Sequence, residues 1–183
     1  MLKYISSWIL KLFGWRVTGT PPKTIKKYII IVIPHTSNWD FPLGLLVRRK
    51  TGIQVNFIGK KSLFKAPWGS IFRALGGYPV DRSKSTSFVD NAVRLFNENE
   101  RFALTIAPEG TRSKTDKLKS GFYYIALGAH VPIIMVKFNY ENKEVDFSEP
   151  FEPTGDKEAD FALIEAHFAG VRGKHPEKSY GID

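Results

Sequence analysis

Tyr28-Ile29-Ile30-Ile31-Val32-Ile33-Pro34-His35-Thr36-Ser37-Asn38-Trp39-Asp40 is the stretch from which the rest of this chain can be read. The β-branched run reads as a buried strand, and Pro34 closes it. The apolar segment from Phe41 to Val47 can start a helix. A histidine and an acid therefore sit together at the C-terminal end of a buried strand, where α/β proteins place their sites. A second cluster, Ala107-Pro108-Glu109-Gly110-Thr111-Arg112, follows another strand-like run. Two such clusters in one short chain point to a single site assembled from loops.

Around these clusters the chain alternates strand and helix. Strands are expected near 27–33, 54–58, 78–80, 102–106, 132–138 and 144–147, the last as a hairpin with its predecessor. Helices are expected over 2–13, 41–51, 68–75, 85–97, 121–128 and 156–171. The segment 85–97 has the clearest amphipathic stripe, in Phe88, Val89, Ala92, Val93, Leu95 and Phe96. Residues 173–183 read as a polar, glycine-containing tail. This order argues an α/β fold, a single domain built on a mixed sheet flanked by helices, with a short N-terminal amphipathic helix.

The chain has 183 residues, 43% apolar and 14% aromatic, enough to bury a substantial core. It has no cysteine, which excludes disulfides, thiolate metal sites and a cysteine acyl-enzyme. The net charge of +9 is uneven. Residues 1–89 hold 15 Lys and Arg against two acids, Asp40 and Asp81, a net of +13; the remainder is −4. The first half thus suits anionic partners: phosphate groups, an anionic membrane, an acidic carrier protein or nucleic acid. The helix over 2–13 gathers Leu2, Ile5, Trp8, Ile9, Leu12 and Phe13, with Lys3 and Lys11 interrupting. It is too short to span a bilayer, which takes ~20 apolar residues. A Trp-bearing apolar face with lysines suits a helix lying in the membrane interface. Residues 1–14 are therefore read as a membrane-interface helix and 15–183 as the functional domain.

A histidine is the best general base near neutral pH, provided a partner fixes its tautomer. Asp40 can reach His35 only if the chain turns sharply and begins a helix, and Ser37 and Asn38 suit such a turn. Asp40 would then accept from one ring nitrogen and leave the other free to take a proton. The second cluster adds a carboxylate (Glu109), a glycine that lets a ligand approach the backbone (Gly110), a hydroxyl (Thr111) and a guanidinium able to grip phosphate in bidentate fashion (Arg112). There is no Gly-x-Ser-x-Gly elbow and no phosphate-binding glycine loop. His130, His167 and His175 show no metal spacing. No nucleic-acid motif is visible.

Taken together, these motifs resemble the glycerolipid acyltransferase family, which includes the lysophosphatidic acid acyltransferases. The match runs from His-x4-Asp (His35 to Asp40) through Lys60-Lys61-Ser62-Leu63 and Gly77-Tyr78-Pro79-Val80-Asp81-Arg82. It continues with Glu-Gly-Thr-Arg (Glu109 to Arg112) and ends in the apolar Val131-Pro132-Ile133-Ile134. The resemblance implies an O-acyltransferase in which His35 deprotonates a lipid hydroxyl and Asp40 orients His35. The hydroxyl then attacks an acyl thioester of coenzyme A or acyl carrier protein, with no metal and no cofactor. It implies that Lys60, Arg82 and Arg112 hold an acceptor phosphate, with Glu109, Gly110 and Thr111 shaping that subsite. Pro132 and Ile133 would line the acyl-donor pocket. The expected acceptor is a single-chain lipid, first 1-acyl-glycerol-3-phosphate. The expected location is cytoplasmic, peripheral on the inner face of the cell membrane. Pro34 and Ser62 depart from the family pattern and leave other acceptors open, including an acylated amino acid. A hydrolase using the same pair, or a non-enzymatic basic lipid- or nucleic-acid-binding domain, are the alternatives.

Overall fold

The computed structural model describes residues 2–21, 23–80 and 85–181. Seven strands form one sheet in the order β1-β7-β6-β2-β5-β3-β4. In chain order they are β1 (Arg16–Thr18), β2 (Lys27–Ile33), β3 (Asn56–Lys60), β4 (Gly77–Val80), β5 (Phe102–Ile106), β6 (Ile133–Asn139) and β7 (Glu144–Phe147). Strands β6, β2, β5, β3 and β4 run parallel; β7 pairs antiparallel to β6, and β1 pairs parallel to β7. The sheet is mixed, as expected.

The apolar run of β2 has no polar alternation because both faces of the sheet are covered. Tyr28, Ile30 and Val32 join Leu43 and Val47 of α2 (Asp40–Thr51) and Leu10 of α1 (Leu2–Leu12). Ile29, Ile31 and Ile33 point the other way. There they meet Ala92 and Phe96 of α4 (Ser85–Glu98), Phe122 and Ile125 of α5 (Gly121–Ala129), and Ile164 and Phe168 of α6 (Lys157–Phe168). Ile29, Ile31 and Ile33 are each fully enclosed. Such burial contributes about 1.5–3 kcal/mol per side chain, so this strand anchors both cores. The short helix α3 (Gly69–Ala74) lies on the α2 side, where Phe72 packs against Phe41 at 6.0 Å.

Three elements differ from their sequence-based expectations. Strand β3 starts and ends two residues later than 54–58. Its pairing sets the limits, from Asn56 opposite Leu104 to Lys60 opposite Val80. The last helix stops at Phe168, and Gly170 follows with a positive φ of 73°. Strand β1 was not anticipated. Tyr123 is buried and donates to Asp160 at 2.8 Å.

Because β2 and β5 are parallel neighbours, their C-terminal ends lie side by side. Ile31 stands opposite Ile106, so the loop carrying His35 and the loop carrying Glu109 leave the same edge of the sheet together.

Candidate active site

Pro34 is buried, and the chain after it turns at once. The Ser37 N–H donates to Asp40 Oδ2 at 3.0 Å, and the Trp39 N–H donates to Ser37 Oγ at 3.2 Å. Asp40 is the first residue of α2, where the helix dipole favours a carboxylate. The turn brings this carboxylate back onto the histidine: Asp40 Oδ2 lies 3.0 Å from His35 Nδ1. The Asp40 side chain is 3% exposed and that of His35 is 23% exposed. The imidazole thus holds its Nδ1 against a buried acid. Nε2 has no hydrogen-bond partner among the described residues.

A third group completes the pair. Tyr140, just past the end of β6, donates its hydroxyl to Asp40 Oδ1 at 2.7 Å. Burial, with the Asp40 carboxylate beside it, pushes the Tyr140 phenol above its ordinary pKa, so it stays a protonated donor. Nothing in the sequence marks Tyr140, which stands 100 residues from Asp40.

Glu109 ties the second loop to the first. It is 3% exposed, and its Oε2 accepts from the His35 backbone N–H at 2.7 Å. It is a buried brace between the loops. Gly110 has a φ of +66°, and a Cβ there would lie 2.6 Å from Lys119 Nζ. The lysine's ammonium thus occupies the space the missing side chain leaves, and its backbone N–H is fixed by Pro108 O at 2.8 Å. Thr111 Oγ1 accepts from the Ser113 N–H at 3.1 Å, and both Thr111 and Arg112 are exposed at the loop's tip.

Burial pushes the Glu109 carboxyl up to about 7, against the lowering effect of the His35 N–H; the nearby Asp40 charge adds to the rise. A folded pKa above the unfolded one means that the folded protein holds the proton more tightly. Stability is therefore expected to fall as pH rises from about 4.5 to about 7, by a few kcal/mol at most. Glu109→Gln, which keeps an oxygen facing the His35 N–H, should flatten that part of the curve. Thermal unfolding of both proteins across this range checks it; parallel curves would contradict it.

The other expected site residues divide. Arg82 and Asp81 lie outside the described residues, as does the side chain of Lys60. Pro132 and Ile133 are not at this site. Ile133 pairs with Ile29 at the opposite end of the sheet, four strand residues below Ile33, roughly 13 Å away at ~3.3 Å per residue. Ile133 is fully enclosed between sheet and helices. The apolar character of Pro132 and Ile133 serves the core. Among the described residues, no group of His, Cys, Asp or Glu gathers as a metal ion would require.

The segment read as a polar tail folds back over the His35 loop. The His175 N–H donates to Thr36 Oγ1 at 3.2 Å, and Lys174 Nζ sits 4.6 Å from the centre of the Trp39 ring. Gly173 is required by close approach, since a Cβ there would lie 2.5 Å from Thr36 Oγ1. Ser179 Oγ accepts from the Gly173 N–H at 2.8 Å, and Ser179 is fully buried.

Asp40 returns beside His35 as expected from the sequence; the brace that Glu109 supplies was not part of that expectation. The chain belongs to the Acyltransferase family, whose model matches residues 15–139. It is 28% identical over 145 residues to a 1-acyl-sn-glycerol-3-phosphate acyltransferase of Escherichia coli, covering 75% of this chain and 58% of that protein. It is 36% identical over 121 residues to one from Saccharomyces cerevisiae, covering 61% and 38%. The chain thus spans a little over half the length of its bacterial relative. The fold is similar to the crystal structure of the 1-acyl-sn-glycerophosphate acyltransferase from Thermotoga maritima, with a TM-score of 0.64 and 20% identity over 91% of this chain and 74% of that one.

Proposed function

We propose that this chain transfers a fatty acyl group from a thioester of coenzyme A or acyl carrier protein to the hydroxyl of a single-chain lipid, 1-acyl-glycerol-3-phosphate in the first instance. The observation that carries this reading is the His35 Nδ1 to Asp40 Oδ2 contact of 3.0 Å, which leaves Nε2 open on a half-buried ring. His35 Nε2 takes the proton of the acceptor hydroxyl as its oxygen attacks the thioester carbonyl. The new C–O bond forms, the C–S bond breaks, and the imidazolium returns its proton to the departing thiolate. Asp40 stabilises the imidazolium between these steps. Arg112 at the tip of its loop and Lys119 over Gly110 supply cations for the acceptor phosphate, together with Lys60 and Arg82. The relatives named for this activity support the acceptor.

Arg112→Ala tests the phosphate subsite. Hydrogen bonds to charged groups contribute about 1.5–3 kcal/mol, so its KM for the phosphate-bearing acceptor should rise roughly 10- to 100-fold. With 1-acylglycerol, which lacks the phosphate, wild type and variant should perform alike. An equal loss on both acceptors would remove Arg112 from phosphate binding.

The lipid substrates place the reaction at a bilayer, on the inner face of the cell membrane. Helix α1 provides the footing. Tyr4, Ile5, Trp8, Leu12 and Phe13 are exposed along it, with Lys3 and Lys11 beside them, while Leu10 packs into the core under it. Leu63, Trp68 and Ile71 are also exposed, with Lys61 and Lys65 near them in sequence, and give the α3 region an apolar and basic surface of its own. Among the described residues, no helix is long and apolar enough to cross a membrane. Trp8→Ser, Leu12→Ser and Phe13→Ser together should lower partition onto anionic vesicles at least ~10-fold without lowering the melting temperature. Undiminished vesicle binding would sink the α1 footing.

A further inference from the structure

We propose that Tyr140 is a positioning residue of the His35–Asp40 pair, setting both the orientation of the carboxylate and the strength of its hold on the imidazole. Residue 140 lies just past the matched acyltransferase region. Asp40 is 4% exposed, so its oxygens depend on protein donors. Oδ2 accepts from the Ser37 N–H and lies 3.0 Å from His35 Nδ1. Oδ1 receives the Tyr140 hydroxyl at 2.7 Å. Donors on both oxygens stop the carboxyl group from rotating about its bond to Cβ, and Oδ2 stays aimed at the imidazole.

The phenol is itself fixed from three parts of the chain. Its backbone N–H donates to Arg172 O at 2.9 Å. Its ring meets Trp15 edge-on, with centroids 4.9 Å apart and planes at 89°. It stands where β6 turns towards β7, and the neighbouring Glu141 pairs with Arg172 at 3.2 Å. Trp15, Tyr140 and the segment from 172 to 175 thus form one buttress behind the acid. Lys174 and His175 of that segment face Trp39 and Thr36 on the same loop. Glu109 faces the pair from the loop after β5. Of these charged or titratable groups, Tyr140 alone donates a side-chain hydrogen bond to Asp40 among the described residues.

The hydroxyl also draws negative charge from the carboxylate. Removing it leaves a bare acceptor that binds the imidazolium more strongly. Tyr140→Phe keeps the ring against Trp15 and deletes only the donor. In this variant kcat should fall about 10-fold with KM for the acceptor within 2-fold. The acidic limb of its pH–rate profile should move to higher pH. The His35 ring titration, followed by NMR and assigned by its absence in His35→Gln, should move the same way. A merely structural role would lower the melting temperature and leave the titration in place.

If Tyr140→Phe does not fold, 3-fluorotyrosine at position 140, a stronger donor, should move the His35 titration to lower pH. A His35 titration unchanged by either replacement overturns the proposal. The kinetic arm rests on the acyl-transfer reading and the NMR arm does not. A shifted titration in a protein that transfers no acyl group would uphold the role of Tyr140 and remove the proposed function.

Discussion

His35→Ala should lower kcat for acyl transfer by ~10²–10⁴-fold, the usual contribution of a positioned general base, in a protein that remains folded. The second half of this expectation follows from the local bonding. What ties the two site loops together is the His35 backbone N–H, which donates to Glu109 Oε2 at 2.7 Å and survives the substitution. Asp40 keeps the hydrogen bonds from the Ser37 N–H and the Tyr140 hydroxyl. The ring is only half-buried, so water can enter the space it leaves. Steady-state transfer assays with thermal unfolding of the same samples check both parts. A rate near wild type would take His35 out of the mechanism.

Asp40→Asn should cost kcat on the order of 10³-fold, mainly by removing charge. The carboxamide can direct its oxygen at His35 Nδ1 and the Ser37 N–H, as Oδ2 does now. Its amide group then faces the Tyr140 oxygen, which can reverse from donor to acceptor. Most of the geometry is kept, and what disappears is the negative charge that stabilises the imidazolium. The variant should therefore bind acceptor with nearly unchanged KM while turning over slowly. A large rise in KM at unchanged kcat would assign Asp40 to substrate binding instead.

Much of this molecule could be read before its structure. The strand from Tyr28 to Ile33 is legible because a β-branched run of that length has few other uses. The turn that returns Asp40 to His35 is legible because only a chain reversal makes that spacing chemically useful. The Glu-Gly-Thr-Arg loop and the mixed sheet were likewise anticipated. What escaped depends on partners distant in sequence. Strand β1 is three residues, Arg16-Val17-Thr18, with no apolar pattern of their own; it exists because it pairs with β7, from Arg16 opposite Glu144 to Thr18 opposite Asp146. Tyr140 and the strap from Arg172 to His175 have no local signature. Their function comes from where the β6–β7 turn and the chain after α6 arrive. Pro132 and Ile133 stand at the far end of β2 from His35. The apolar character that marks them is that of a strand buried on both faces. The brace from Glu109 to the His35 N–H escaped because its burial cannot be seen in four letters of sequence.

The most direct measurement is product analysis by mass after incubation with an acyl-coenzyme A and 1-acyl-glycerol-3-phosphate. The expected result is a two-chain phospholipid and free thiol in equal amounts, with both lost in His35→Ala. Free fatty acid and an unchanged acceptor would show that water takes the acyl group, and would contradict an acyltransferase built on His35 and Asp40.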